Sequence, residues 1–167
     1  MIKMSNNINL INFIDLTLEE KKMILSWRNH PSIKRWMYNN DDILLENHLN
    51  FIETLKSCAD KLYFLVKQNS SYIGVIDFTN INKESKSSEF GLYANPFEKV
   101  AGIGRILEEC CIKYAFEILK LDKMMLEVFS DNVQVRNLHK KFNFKETTVK
   151  TVNNKEVICM ELKNEDR

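Results

Sequence analysis

The stretch Glu89-Phe90-Gly91-Leu92-Tyr93-Ala94-Asn95-Pro96-Phe97-Glu98-Lys99-Val100-Ala101-Gly102-Ile103-Gly104 has the residue types to handle a phosphate. A strand feeds a loop, and the loop opens a helix with Gly-x-Gly in its first turn. Glycine lets a ligand come close to the backbone. Free N–H groups at a helix start, aided by the helix dipole, hold phosphate oxygens. The pattern matches neither common nucleotide loop. No Gly-Lys-[Ser/Thr] is present, and position 107 is Leu where a dinucleotide fingerprint has its third glycine. Gly-x-Gly alone also marks a plain tight turn into a helix.

Glu127 interrupts the apolar run Met124-Met125-Leu126 and Val128-Phe129. A carboxylate buried in such a strand has a raised pKa and suits a base for an ammonium group. An edge position facing water is the other reading. Glu89, flanked by serines, is a weaker rival. His139 brings an imidazole, which can donate a proton near neutral pH. Arg28 and His30 sit at a polar helix end and can contact a diphosphate or uridine. Met37, Tyr38 and Phe51 could pack on a weakly apolar sugar. Met37 and Phe51 read equally well as core, and His48 as a satisfied core histidine. Trp27 reads as core. Cys58, Cys110, Cys111 and Cys159 contain no Cys-x-x-Cys pair and no zinc spacing. They read as reduced thiols, with no metal.

The elements that must position these residues alternate between strand and helix patterns. Residues 8–14 read as a first strand. Thr17 and Glu20 form a capping box for a helix that Pro31 ends. Asp41 and Asp42 can cap a second helix carrying Leu44, Leu45, His48, Ile52 and Leu55. Strands follow at 62–66, 72–81 and 87–94. A helix with the stripe Ile103, Leu107, Cys110, Cys111, Tyr114 and Ile118 comes next. The run 124–129 reads as a strand covered on both faces. A short helix from Asn132 to Phe142 and a closing hairpin about Asn153-Asn154 complete the chain.

With 167 residues, 44% hydrophobic and 28% charged, the chain is sized for one soluble domain over 1–167. A net charge of +1 gives no field for nucleic acid or an anionic membrane. No stretch approaches the roughly 20 apolar residues of a membrane span. The N-terminus lacks a signal-peptide core, so the cytoplasm is the expected location.

Lys99-x-x-Gly102-x-Gly104 resembles the Gln/Arg-x-x-Gly-x-Gly/Ala loop of the GCN5-related N-acetyltransferases (GNAT). Asn132-x-x-Val135-x-x-Leu138-His139-x-Lys141-Phe142-Asn143-Phe144 resembles their second motif, and the order of elements follows theirs over nearly the whole chain. The resemblance implies an α/β fold with a mixed sheet of about seven strands flanked by about four helices. It implies acetyl-CoA as co-substrate, held at Lys99, Val100, Ala101, Gly102, Ile103, Gly104, Arg105 and Asn132. Its pantetheine arm would pair with the strand at Phe90, Gly91, Leu92 and Tyr93, where a backbone N–H polarises the thioester. The amine would attack directly. Lys99 replaces the usual Gln or Arg, and His139 stands where the family has the tyrosine that protonates the departing thiolate. His139, Glu127 and Tyr93 are the catalytic candidates.

The segments Trp27-Arg28-Asn29-His30-Pro31, Trp36-Met37-Tyr38, His48-Leu49-x-Phe51-Ile52, Gly74-Val75-Ile76-Asp77-Phe78 and Lys113-Tyr114-Ala115-Phe116-Glu117 resemble one subfamily. It is the UDP-4-amino-4,6-dideoxy-N-acetyl-β-L-altrosamine N-acetyltransferases of pseudaminic acid synthesis. This implies acetylation of a UDP-linked amino sugar, in a route serving flagellin or other surface glycans. Arg28, His30, Met37, Tyr38, His48, Phe51, Thr79 and Glu127 are the acceptor-side candidates. Two rival readings stand beside it: a ribosomal-type protein N-terminal acetyltransferase, and a CoA-binding module without turnover. Whether the chain forms a homodimer is left open.

Overall fold

The structure is a computed structural model that describes residues 1–167. Its centre is an eight-stranded sheet of order β1-β2-β3-β4-β5-β6-β8-β7. The strands are β1 (Ile2–Lys3), β2 (Ile8–Asn12), β3 (Leu62–Gln68), β4 (Ser71–Asn82), β5 (Ser87–Ala94), β6 (Lys123–Phe129), β7 (Lys145–Val152) and β8 (Lys155–Lys163). The helices are α1 (Leu18–Arg28), α2 (Pro31–Lys34), α3 (Leu45–Thr54), α4 (Ile103–Lys113, prolonged by a π turn Tyr114–Ile118) and α5 (Val133–Lys141). The two-residue β1 brings the sheet to eight strands, against the seven expected from sequence.

Side-chain alternation splits the core in two. Phe64 and Val66 of β3 and Ile76 and Phe78 of β4 join α4 and the far strands in a cluster of 24 buried residues. Leu65 and Val75 point the other way, into eight buried residues shared with α1 and α3, among them Trp27. At Gly74 a Cβ would lie 2.6 Å from the Tyr93 carbonyl and 2.7 Å from Leu107 Cδ1, so a side chain there would push α4 off the sheet.

The caps explain where helices begin. Thr17 Oγ1 accepts from the Glu20 N–H at 3.1 Å, and the Thr17 N–H donates to Glu20 Oε1 at 2.9 Å, the expected capping box. Pro31 does not merely end α1. It is the first residue of α2, where its missing N–H costs nothing, and His30 Nδ1 caps that turn by accepting from the Ser32 N–H at 3.1 Å. Asp41 and Asp42 do not cap α3. Leu44 holds that position with no side-chain bond, and Asp42 instead pairs with Lys34 at 2.8 Å.

Ile118, placed in the α4 stripe by 3.6-residue spacing, is 45% exposed. The π turn inserts an extra residue and rotates everything after Tyr114 out of phase; Leu119 N–H bonds to the Tyr114 carbonyl, five residues back, at 2.9 Å. Strand β6 is not covered on both faces. Met124, Leu126 and Val128 are buried, while Met125 and Glu127 are only half-buried.

Candidate active site

Strands β5 and β6 run parallel, and they pair only at Ser87–Lys123, Ser88–Met124 and Glu89–Met125. Beyond Glu89 they part. β5 stays paired to β4 as far as Ala94, and β6 to β8 as far as Phe129. Their facing edges, Phe90 to Ala94 and Leu126 to Phe129, therefore present backbone groups with no strand partner, and such groups demand one. A cleft of about 1140 Å³ opens in this gap.

The donor end lies at the start of α4. Gly102 caps the helix in the left-handed region, φ +83°, which a residue with Cβ enters at a cost of about 1–2 kcal/mol. No side chain caps α4, and the Gly104 and Arg105 amides have no partner within the chain. They suit a pyrophosphate. The unpaired β5 edge suits an extended arm with amides of its own, so the residues present fit acetyl-CoA. Gly104 has a packing role as well: a Cβ there would stand 3.2 Å from Leu138 Cδ2 of α5. Phe90, Gly91, Leu92, Tyr93, Gly102, Gly104, Arg105 and Asn132 all line the cleft. Lys99, Val100 and Ala101 form the exposed loop before it, and Ile103 is buried beneath.

His139 faces the cleft from α5 and is 5% exposed. Its Nδ1 lies 2.7 Å from Oε1 of Glu108, which is fully buried in α4. The ring packs edge-on against Phe90 and Phe144. Glu108 Oε2 has no hydrogen-bond partner. Tyr93 sits on the other face of β5 from Phe90, in the α1 and α3 layer beside Arg28 and Tyr63. Burial first, and then the charge of Asp77, push its hydroxyl far above the ordinary tyrosine range.

Around Glu127 the structure draws on distant parts of the chain. The side chain of Glu127 accepts hydrogen bonds from the Tyr38 hydroxyl and, at 2.6 Å, from Lys150. Tyr38 also packs edge-on against Phe129, and the Asn153 side chain donates to the Tyr38 carbonyl at 2.9 Å. Glu127 thus corrects the expectation of a raised pKa. Its partial burial pulls upward, but the hydrogen bonds from Lys150 and Tyr38 and the Lys150 charge hold it below the usual carboxylate value. Met37 lines the cleft beside it.

Arg28 Nη2 donates to the Asn39 carbonyl at 2.9 Å, while its buried Nη1 has no partner. The His30 ring stacks edge-on against Phe97. Of the acceptor candidates only Met37 and Glu127 line the cleft; Arg28, His30 and Tyr38 lie outside the lining, and three more lie elsewhere. His48 is buried on α3, its Nε2 2.8 Å from the Lys21 carbonyl of α1, and is a core residue. Phe51 packs behind Tyr63, ring centroids 5.1 Å apart. Thr79 lies at the Glu89 rung of β4, beyond the cleft lining. The three lie on α3 or at the rung where β5 and β6 are still paired, which spacing along the chain does not reveal.

Sequence reasoning missed Glu108 and assigned no task to Asp77, which lines the cleft from β4. Asp77 interrupts its apolar strand just as Glu127 does. Glu108 falls four residues after Gly104, on the face that meets α5. No group of three His, Cys, Asp or Glu residues is arranged to hold a metal ion. No helix is long and apolar enough to cross a membrane.

The profile of the Acetyltransferase (GNAT) family matches residues 22–144. Acetyltransferase PseH of Campylobacter jejuni is 47% identical over 137 residues, 82% of this chain and 84% of that protein. The crystal structure of Campylobacter jejuni N-acetyltransferase PseH in complex with acetyl coenzyme A superposes with a TM-score of 0.77 at 37% identity, covering 94% of this chain and 99% of that one. Spermidine N-acetyltransferase from Vibrio cholerae, solved with CoA and spermine, superposes at 0.86 with 20% identity over 97% and 98% of the two chains, a likeness of fold.

Proposed function

The chain belongs to the acetyltransferase (GNAT) family, and from that premise we propose that it acetylates the 4-amino group of UDP-4-amino-4,6-dideoxy-N-acetyl-β-L-altrosamine in pseudaminic acid synthesis. It is an acetyl-CoA-dependent N-acetyltransferase. The observation that carries the donor half is the parting of β5 from β6 beside the uncapped start of α4. The acceptor half rests on the 47% identity to PseH and on Met37 and Glu127 of the cleft wall, with Tyr38 bonded to Glu127, suited to a deoxysugar; Arg28, outside the lining, keeps one Nη without a partner for a diphosphate.

Acetyl-CoA brings an acyl group already activated as a thioester. The chain supplies the rest. The Gly104 and Arg105 amides receive the pyrophosphate, and the free amides of Phe90 to Ala94 orient the arm and act as an oxyanion donor, an effect of several kcal/mol in such sites. His139, backed by Glu108, holds a proton on the cleft side for the leaving sulfur. Glu127 and Tyr38 orient the sugar. The reading takes residues 1–167 as one catalytic domain, supported by the single continuous sheet. Its four free cysteines suit a reducing compartment, and the reading assigns the reaction to the cytoplasm. The test is incubation with acetyl-CoA and the UDP-amino sugar. Release of free thiol matching N-acetyl product is expected; turnover of an N-terminal peptide instead, or no thiol at all, overturns the acceptor assignment.

A further inference from the structure

One carboxylate of the cleft has no task in that reading. Asp77 stands in β4, level with Tyr63 of β3 and Gly91 of β5. Alternation puts it on the same face as Val75, toward α1 and α3. A Cβ at position 91 would lie 2.9 Å from Asp77 Oδ2, so glycine at 91 leaves room for the carboxyl. The outer edge of Gly91 is the unpaired edge of β5. Glu89 and Met125 face each other across the parallel pair, so two residues on, Gly91 and Glu127 lie on one face of the sheet. Asp77 and Glu127 thus flank the gap from its two sides.

The two are not equivalent. Glu127 is occupied by Tyr38 and Lys150. Asp131, also on the cleft wall, is exposed on the loop after β6. Asp77 accepts no hydrogen bond and forms no ion pair; burial alone acts on it. We propose that Asp77 is the base that takes a proton from the acceptor ammonium at the open edge of β5. This rests on the reading of the acceptor as an amine. One N–H bond of the ammonium breaks and its electron pair stays on nitrogen as the attacking lone pair. The proton goes to a carboxylate oxygen of Asp77, so a cation and an anion become a neutral amine and a neutral acid. Water recovers the proton after product leaves.

The surroundings favour this task. Burial pushes the Asp77 carboxyl up to about 7, the range in which a base is both ionised and strong enough to work. Three groups face it: Tyr63 from β3, Tyr93 from β5 and, through the sheet, the buried Cys111 thiol of α4. Burial, and next the charge of Asp77, push both tyrosines upward, and Arg28 acts on them in the opposite sense. Both remain neutral, and no second carboxylate competes.

Two measurements decide it. In Asp77→Asn, kcat/KM for the UDP-amino sugar should fall by about 10²-fold or more. The acid limb of its pH profile should vanish, with acetyl-CoA affinity by calorimetry within twofold. Activity within threefold of wild type, with the limb intact, overturns the proposal. The second readout needs no turnover. Carbon-13 carboxyl spectra of aspartate-labelled protein should show one resonance titrating near neutral pH that Asp77→Asn removes. Titration of that resonance in the ordinary carboxylate range overturns the base. A wild type that ignores the UDP-amino sugar, with this titration present, sinks the acceptor assignment alone.

Discussion

Nδ1 of His139 lies 2.7 Å from Oε1 of Glu108, and both side chains are shut away from solvent. The two elements that carry them, α5 and α4, are those that border the donor end of the cleft. Glu108 takes up Nδ1 and leaves Nε2 as the free ring nitrogen. On the proposed reading Glu108 positions the ring, and His139 is the acid in the place of a tyrosine.

His139→Ala should lose at least about 10²-fold in kcat. His139→Tyr should keep substantial activity, and the alkaline limb of kcat should move upward, because a phenol ordinarily holds its proton to about pH 10. Glu108→Gln should lower kcat, because a neutral amide holds the His139 ring less firmly than a carboxylate does. Near-wild-type kcat in His139→Ala and Glu108→Gln, with an unaltered pH–rate profile in His139→Tyr, would eliminate the pair and move attention to Tyr93.

Asp77 carries a stability signature that kinetics cannot mimic. Its folded value of about 7 lies above the ordinary 3.8. Between those values the folded state holds a proton that the unfolded state has lost, so this stabilising contribution fades as pH rises and is gone above about 7. The cost above neutrality is on the order of 2–4 kcal/mol. Asp77→Asn should therefore raise Tm at pH 8 and change it little at pH 4. Calorimetric scans at both pH values check this.

Gly104→Val should abolish acetyl-CoA binding, but it should not leave the fold untouched. Its Cβ would press on Leu138 Cδ2 from 3.2 Å, and overpacking of this kind costs about 1–3 kcal/mol. Gly102→Ala meets no neighbour within 4 Å and suffers only the backbone strain of φ +83°. Isothermal calorimetry together with melting separates the two effects.

Glu127→Gln should lower kcat and loosen the segment from Arg35 to Ile43, which Tyr38 ties down, as faster amide exchange there. The stabilising contribution of Glu127 has the opposite pH sense to that of Asp77. Its depressed value means the contribution is present above the ordinary carboxylate range and lost as pH falls through the folded value. Full kcat with a lowered Tm would mark Glu127 as structural.

Arg28→Ala should raise KM for the UDP-amino sugar about tenfold, the scale of a charged hydrogen bond, and leave KM for acetyl-CoA nearly unchanged. Arg28→Lys should not rescue it, because one Nη already holds the Asn39 carbonyl and a point charge cannot serve both partners. Equal effects on both substrates would make Arg28 a loop anchor alone.

Local chemistry was the legible part. The Thr17–Glu20 box stands as read, and Asn153 and Asn154 both take positive φ, 51° and 63°, at the hairpin turn. These depend on residues close in sequence. What escaped depends on distant partners. Asp41 and Asp42 had the right type for a cap, but Lys34 draws Asp42 away. Glu108 looks like half of a solvated Glu-Glu pair until α5 closes over it. Asp77 and Glu127 share one sequence signature, a carboxylate in an apolar strand. Only the partners from the loop and hairpin, Tyr38 and Lys150, make one a lowered carboxylate and the other a raised one.

The hairpin β7–β8 supplies Lys150 to Glu127 and Asn153 to Tyr38, yet it lies past residue 144, where the family profile ends. Tyr38 and Glu127 lie inside that profile, but the partners that hold them lie outside it. The shared middle carries the coenzyme loop, while the early segment around Tyr38 is latched by a tail outside the common pattern. If the proposed acceptor side is right, sequence drift at residues 150–154 should retune which amine is admitted and leave acetyl-CoA affinity unchanged. A library confined to that tip and to residues 35–43 is the economical way to change the substrate of this enzyme.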